Sequence, residues 1–379
     1  MRHDNSVFHG MLKHVPWHVF DRLVDEHGSD ARVRRLSTKD QLIALLYGQL
    51  SGAQSLREIE GGLASHAGRL YHLGGREVSR STLADANAKR PNAVFAGLFA
   101  DLVQRAGRGL RRKLGEAVYL VDSTGLRLSE LSADWAQFSN GVCGAKLHIV
   151  YNADSEHPVD AVVTPARIND ITVAHTLPID AGATYVFDLG YYSYAWWAEL
   201  DAQGCRIVTR LKSNTKLSVV ETNPVKDKTI LSDCIGHLPA RQAASRSNPF
   251  QEPVREIRVR IDSGKILRIV SNDLDAPAAE IASLYKRRWQ VELFFRWIKQ
   301  TLKIKHFLGT SENAVRIQIA VALIAFLLLR LAHATQRAVG SLLAFSRLVR
   351  SNLMHRRPID ALLKPPPIIQ DQRQLSLAI

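Results

Sequence analysis

The stretch EAVYLVDSTG, residues 116–125, is a short apolar run that ends in an acid and a glycine-containing turn. This pattern predicts a buried β-strand that delivers Asp122 to its end. The later stretch ATYVFDLGYYS, residues 183–193, repeats the design, with Asp188 after the apolar run and Gly190 in the turn. Two acids therefore stand at the exits of two predicted strands, and we expect a mixed α/β domain around them.

The segments around these two strands also carry clear patterns. The predicted elements are strands over 145–154, 158–166 and 205–211 and a helix over 194–203. A polar stretch from Lys212 to Asp275 follows, and the alternation of residues 255–262 and 265–273 within it is typical of strands. We therefore expect a β-rich insertion between two parts of the central domain.

The N-terminal region is predicted to be helical. Helices are indicated over residues 38–51, ending at Gly52, over 55–63, and over 78–91, where Ser79 or Ser81 is the N-cap and Pro91 stops the helix. The last helix carries Arg80, Lys89 and Arg90, so the region resembles a helix-turn-helix DNA reader. A small helical bundle with a solvated basic face explains the pattern equally well.

A long helix is predicted over residues 277–305, which begin with proline, lack internal glycine and are rich in helix formers. At about 100° per residue, Tyr285, Arg288, Glu292 and Lys299 fall on one face. One acid thus lies among several cations. Taken alone, Glu292 could simply pair with a neighbouring arginine on a solvated helix.

Composition favours a DNA-associated protein of the reducing cytosol. The 379 residues carry a formal charge of +14, with basic flanks around an acidic middle, and this charge favours polyanions such as nucleic acid. Three widely spaced cysteines give neither a metal knuckle nor a disulfide framework. The N-terminal residues lack a secretory signal, and the apolar run at 319–329 is too short to span a bilayer, so we expect a buried helix and no membrane contact.

The spacing Tyr-x2-Arg-x3-Glu-x6-Lys at 285–299 resembles the signature of DDE-class insertion-sequence transposases, in the insertion-sequence 4 branch. The resemblance extends over about residues 115–310, because VDSTG at 121–125 and FDLGYY at 187–192 are similar to the first and second acidic motifs of that family. The N-terminal helical region resembles the DNA-binding appendage of many members.

This resemblance implies an RNase H-like, retroviral integrase-like catalytic core in which Asp122, Asp188 and Glu292 bind two Mg²⁺ ions, with Mn²⁺ able to substitute. It implies that Arg288 and Lys299 hold DNA phosphates and that Tyr285 donates to a phosphate oxygen. The expected activity is hydrolysis of the 3′ ends at terminal inverted repeats and their joining to target DNA, by a homodimer associated with the nucleoid. The alternatives are an RNase H-like nuclease that has lost transposition and a non-catalytic repressor.

The expected organisation has five parts. They are a helical DNA-binding domain (1–113), the first part of the core (114–211), the β-rich insertion (212–275), the second part of the core with C-terminal helices (276–350) and a tail (351–379).

Other residues are assigned structural roles. Lys146 and His148 alternate on one strand face beside the proposed site; we expect them to be satisfied strand residues, and the alternative is contact with DNA or metal. We expect Asn169 and Asp170 to cap a helix. Phe250 is the only Phe, Tyr or Trp between Lys212 and Asp275, which argues against base stacking by the insertion, a feature of well-known relatives that form a DNA hairpin.

Overall fold

The structure, a computed structural model, describes residues 5–107, 117–243, 246–304, 306–335, 340–359 and 362. The chain divides into two compact units, one formed by residues 1–86 and 324–379 and the other by residues 87–323. The sequence predicts instead that residues up to 350 belong with the central domain. The later boundary falls inside one long helix, where no change of composition marks it.

Helices make up the described N-terminal part. They are α1 Val7–Leu12, α2 Trp17–Glu26, α3 Thr38–Ser51, α4 Leu56–Ala64, α5 Ala67–Leu73 and α6 Arg80–Lys89. Helix α3 begins with a reciprocal capping box between Ser37 and Asp40 and ends at Gly52, whose φ of +81° is a left-handed conformation that glycine adopts without steric cost. The predicted range of helix α3 and its end at Gly52 are confirmed.

Helix α6 begins where its serine cap predicts. The Ser79 hydroxyl accepts a hydrogen bond from the Thr82 amide at 3.3 Å, so Ser79 rather than Ser81 caps the helix. The helix ends at Lys89, ahead of Pro91. Helix α5, which the sequence analysis missed, lies between α4 and α6, so these two helices are not joined by a single short turn.

The remaining described elements are eight α-helices and twelve strands. They are α7 Asn92–Gly107, β1 Val118–Leu128, α8 Ala133–Ala136, β2 Gln137–Ser139, β3 Val142–Asn152, β4 His157–Pro165, α9 Asp170–Ala174, β5 Thr184–Phe187, α10 Tyr194–Ala202, β6 Arg206–Arg210, β7 Ser218–Thr222, β8 Ile230–His237, β9 Arg241–Ala243, β10 Arg246–Ser247, β11 Val254–Arg260, β12 Ile266–Ser271, α11 Ala278–Arg287, α12 Trp289–Thr301, α13 Glu312–Ala334 and α14 Leu342–Asn352. The predicted mixture of helices and strands is confirmed.

Ten of the described strands form one mixed sheet. Its order is β2-β3-β1-β5-β6-β12-β11-β8-β7, and β4 pairs with β3 beside this path. Strands β1, β5 and β6 are parallel, whereas β3 and β4 on one side and β12, β11, β8 and β7 on the other pair antiparallel. The predicted insertion is therefore β-rich: β7, β8, β11 and β12 continue the central sheet, and β9 and β10 form a separate two-stranded sheet.

Strand β1 does not end at Asp122, as the sequence analysis predicted. Its antiparallel pairing with β3 runs to the pair Leu128 and Cys143, so Gly125 lies within the strand. Its parallel pairing with β5, however, stops at Val121 opposite Phe187. The pairing of β1 with β5 therefore ends where the strand was predicted to end. The pairing with β3 continues, because β3 is longer than β5.

Aromatic side chains fill the core beneath the end of β5. Phe187 lies 4.7 Å from Trp196 between ring centroids, and Tyr191 and Trp197 are equally buried. Such rings bury large apolar areas and hold the loop after β5 in place. Phe250 belongs to the same cluster and is only 3% exposed, so its ring is committed to the core and cannot stack on an extruded base.

The helix predicted over residues 277–305 is two helices, α11 and α12, with Arg288 between them. At the junction the amide of Arg288 donates to the carbonyl of Tyr285, and that of Val291 donates to the carbonyl of Arg288. These bonds span three residues rather than four, which tightens the backbone locally. Residues 277–305 contain no internal proline or glycine that would have signalled the break.

Helix α13 contains the longest apolar run. It is the one helix among the described residues that is long and apolar enough to cross a bilayer, and 83% of its most apolar window is buried inside the protein. This burial agrees with the prediction of a core helix.

Candidate active site

Two carboxylates lie side by side where the parallel pairing of β1 and β5 ends. Asp122 and Asp188 directly follow the paired residues Val121 and Phe187. The Ser123 amide donates to Asp122 Oδ1 at 2.8 Å, and the Gly190 amide donates to Asp188 Oδ1 at 2.7 Å. A Cβ atom at position 190 would lie only 2.9 Å from Asp188 Oδ1, so glycine permits this tight loop.

Helix α12 brings the third acid to the same edge of the sheet. Glu292 and Asp122 are both bonded to the guanidinium of Arg288, which donates to Glu292 Oε1 at 2.5 Å and to Asp122 Oδ2 at 3.3 Å. A single cation therefore bridges two of the three predicted acids. The Nε atom of Arg288 is buried and forms no hydrogen bond of good geometry with a described residue.

The electrostatics of Asp122 reflect this crowding. Burial, followed by the charges of Asp188 and Glu292, raises the pKa of Asp122 to about 7, against the lowering effects of the Ser123 amide and Arg288. The structure thus brings Asp122, Asp188 and Glu292 into one interacting group.

The other predicted signature residues surround this group. Tyr285 is 7% exposed, and its ring lies 5.9 Å from the guanidinium of Arg288. Lys299 reaches β1, where its ammonium donates to Thr124 Oγ1 at 2.6 Å and to the carbonyl of Gly125 at 2.9 Å. The predicted common face of these residues is therefore retained despite the break at Arg288.

The predicted N-terminal cations differ in exposure. Arg80 and Lys89 are exposed, whereas Arg90 is only 8% exposed.

The site contains two charged residues whose roles the sequence analysis missed. Asp170 was predicted to cap a helix, but its Oδ1 atom accepts from Ser123 Oγ and from Lys146 Nζ, each at 3.0 Å. Arg210 is the last residue of β6, the next parallel strand beyond β5. Burial raises the pKa of the Tyr285 hydroxyl, and the charge of Arg210, like that of Arg288, opposes this rise. The position of Arg210 at the end of a predicted strand could have indicated its role. For Asp170, no sequence pattern distinguished a site residue from an ordinary helix cap.

Lys146 is a satisfied strand residue, as predicted, whereas only one ring nitrogen of His148 is satisfied: its buried Nδ1 atom forms no hydrogen bond of good geometry with a described residue. Lys146 also donates to the carbonyl of Ile168 at 3.0 Å, and the His148 ring bonds Thr164 Oγ1 at 2.9 Å. Burial lowers the pKa of His148 to about 4, so the ring is neutral near pH 7.

The donors of this site are hard carboxylate oxygens, which Mg²⁺ and Mn²⁺ prefer. In the part of the chain that the structure describes, no three His, Cys, Asp or Glu side chains are close enough to hold an ion as they stand. The guanidinium of Arg288 nevertheless shows that a cation fits between Asp122 and Glu292.

The raised pKa of Asp122 predicts a pH-dependent stability. An acid with a higher pKa in the folded than in the unfolded chain binds its proton more tightly when folded, so the free energy of unfolding falls as pH rises from 3.8 through about 7. At about pH 8 we expect Asp122→Asn to stabilise the metal-free protein by on the order of 2 kcal/mol, and this gain should vanish near pH 4. Urea denaturation across this range, with Asp262→Asn in the exposed β11–β12 turn as control, measures it. An equal effect of Asp122→Asn at every pH would contradict the assignment.

Comparisons with known proteins identify the family of this chain. The family described as "Transposase DDE domain" matches residues 113–328, and one described as a domain of unknown function matches residues 3–76. The y4zB protein of Sinorhizobium fredii, named as a transposase, is 40% identical over 77% of this chain and 82% of its own length. A protein of Geobacillus stearothermophilus, named as a transposase for insertion sequence element IS5377, is 30% identical over 74% of each chain.

Among solved structures, the piggyBac transposase in a synaptic complex with hairpin DNA covers 97% of this chain and 84% of its own, with a TM-score of 0.47 and 12% identity. This TM-score is too low to support an assignment of fold or function. The DDE match spans more than half of the chain and contains all three acids. Members of this family act with divalent metal ions. The chain therefore belongs to the DDE transposases of insertion sequences and is a DNA transposase.

Proposed function

We propose that this transposase belongs to the insertion-sequence 4 branch and moves its element by cut-and-paste transposition. In this proposal it binds the terminal inverted repeats, hydrolyses the 3′ ends and joins them to target DNA. The observation that carries the proposal is the meeting of Asp122, Asp188 and Glu292 at one edge of the sheet, with Arg288 bonded to two of them.

The sheet supports an RNase H-like core. Its strands β4, β3, β1, β5 and β6 are adjacent in that order, and the last three are parallel. If the three-residue strand β2 is left aside, Asp122 lies on the first strand, Asp188 directly follows the fourth strand and Glu292 lies on a later helix. This is the arrangement that the family resemblance implies.

The acids would hold two Mg²⁺ ions. Asp122 and Glu292 already enclose a positive charge, and Asp188 lies beside Asp122, so the residues fit divalent cations. When bound, such a pair of ions activates the attacking oxygen and stabilises the leaving oxygen of an in-line phosphodiester displacement. Binding would require Arg288 to withdraw, because its guanidinium now neutralises the same carboxylates.

The cations of the site would position DNA. Arg288 can grip a phosphate through paired hydrogen bonds, and Lys299 supplies a point charge farther along α12. The buried ring of Tyr285 supports the guanidinium of Arg288, and its hydroxyl is the proposed further donor to phosphate. Phosphate binding would thus draw Arg288 from the acids and leave them available for metal.

The remaining proposed contacts concern specificity and assembly. The helical N-terminal part, with exposed Arg80 and Lys89, would bind the terminal repeats. Two ends must be paired for transposition, so a homodimer on DNA, in the nucleoid, is the proposed working form.

The test uses the purified chain and linear DNA that carries the inverted repeats bordering its gene. With Mg²⁺ we expect nicks at the repeat ends and, with added target DNA, joined products that sequencing identifies. Cleavage at random positions would instead indicate a nuclease. End binding without cleavage in Mg²⁺ or Mn²⁺ would indicate a repressor, and either result would overturn the proposal.

A further inference from the structure

Asp170 lies between the two backbone segments that carry Asp122 and Asp188, close to Ser123 and to Gly190. It is the first residue of α9, and the preceding Asn169 makes no side-chain cap bond. The two oxygens of Asp170 face different parts of the site. Oδ1 is bonded to Ser123 and Lys146, whereas Oδ2 faces the loop after β5.

The contact with Ser123 reaches Asp122 directly. Asp170 accepts the Ser123 hydroxyl at 3.0 Å, and the backbone amide of the same serine donates to Asp122 Oδ1 at 2.8 Å. Ser123 is therefore held through its side chain while its backbone holds the carboxylate. Loss of the Asp170 contact would free the serine side chain and loosen the backbone donor that orients Asp122.

Asp170 Oδ2 also lies close to Gly190 in the loop after β5. A Cβ atom at this position would lie 3.3 Å from Asp170 Oδ2 and 2.9 Å from Asp188 Oδ1, so both carboxylates approach the same point. The hydroxyl of Tyr191, whose side chain is 1% exposed, forms no hydrogen bond of good geometry with a described residue. Burial, then the charges of Asp170, Asp122 and Asp188, raise the pKa of this hydroxyl, so it faces all three carboxylates.

The charge of Asp170 is balanced locally. Lys146 donates to it at 3.0 Å, and the buried ring of His148 lies with Nδ1 3.7 Å from the same oxygen. Lys146 is itself fixed by the carbonyl of Ile168. Lys146 therefore compensates part of the charge of Asp170, and the paired carboxylate supports its neighbours by hydrogen bonds.

We propose that Asp170 is a positioning residue for the transposase reaction. It holds Ser123 by a hydrogen bond and lies against the loop of Asp188, and so helps to set the separation of the two carboxylates that would share metal ions. The inference rests on the proposed function, because it assumes that Asp122 and Asp188 bind metal. Residues that orient metal ligands typically change metal affinity or activity by about 10–100-fold when they are removed.

The experiment compares Asp170→Ala and Asp170→Asn with the wild type, and Asn169→Ala serves as a matched neighbour. For each protein, Mn²⁺ binding to the full chain is measured by electron paramagnetic resonance, and cleavage of repeat-end DNA is measured as a function of Mg²⁺ concentration. We expect Asp170→Ala to weaken Mn²⁺ binding by about 10-fold or more and to raise the Mg²⁺ concentration needed for cleavage. End binding and the thermal midpoint should stay near wild type.

Asp170→Asn keeps an oxygen that accepts from Ser123, so we expect it to recover most of the lost metal affinity. Ser123→Ala should shift the metal dependence in the same direction as Asp170→Ala. Wild-type metal curves for both Asp170 variants would overturn the inference. The inference would also be overturned if Asp170→Ala and Asp170→Asn lost metal affinity equally and Cd²⁺ restored the activity of Asp170→Cys. That result would make Asp170 a metal ligand. If the wild type binds Mn²⁺ but never cleaves, the proposed function fails and the binding data still test Asp170.

Discussion

Asp188→Ala and Glu292→Ala are each expected to reduce DNA cleavage by at least ~10³-fold, which corresponds to about 4 kcal/mol in the barrier. Each change removes one of the three carboxylates grouped near the point where the pairing of β1 with β5 ends, and with it one proposed metal ligand. Affinity for the repeat ends should persist, because neither carboxylate is expected to contact phosphate. Single-turnover cleavage and gel-shift binding on the same DNA measure the two effects separately.

The matched control is Asp262→Ala, which removes an acid from the exposed turn between β11 and β12. It should cleave at the wild-type rate. Metal-dependent cleavage retained in both active-site variants would reject the assignment of Asp188 and Glu292.

Arg288→Ala should affect DNA binding and metal binding in opposite directions. Loss of one phosphate contact should weaken end binding by about tenfold and reduce the slope of log affinity against log salt by about 1. In the absence of DNA, however, the variant should bind Mn²⁺ more tightly than the wild type, because the guanidinium no longer neutralises Asp122 and Glu292. Arg288 would thus couple DNA binding to metal binding.

Mn²⁺ titrations at about pH 8.5 keep Asp122 largely ionised, which matters because loss of Arg288 also raises its pKa. Arg296→Ala is the control, since this arginine is exposed on the same helix. Arg296→Ala should leave the Mn²⁺ affinity unchanged. A change in Mn²⁺ affinity seen only with Arg288→Ala therefore does not come from the general loss of one positive charge. Weaker Mn²⁺ binding by Arg288→Ala without DNA would contradict the proposed exchange.

Local patterns predicted the elements that carry the acids. The apolar runs before Asp122 and Asp188 are buried strands, and the helical spacing of Arg288, Glu292 and Lys299 places them beside β1. These predictions succeeded because side-chain periodicity and burial are encoded within a few residues. The joint arrangement came from the motif spacing, since no local rule specifies which strand exits become neighbours.

The missed features depend on contacts between distant segments. Asp170 stands where a helix cap is expected, and only the fold brings it to Ser123 and Lys146. The break at Arg288 has no proline or glycine to announce it. The continuation of β1 past Asp122 depends on the length of β3, which the sequence of β1 does not contain.

The antiparallel pairing of β12 with β6 gives the segment at 212–275 a role in solubility. Without that segment, β6 would present a row of unpaired amides and carbonyls, an edge that invites aggregation between molecules. Engineering a smaller transposase by excising these residues would therefore require a new cap for β6. Swaps among homologues would succeed only where the incoming piece still delivers a strand of matching register.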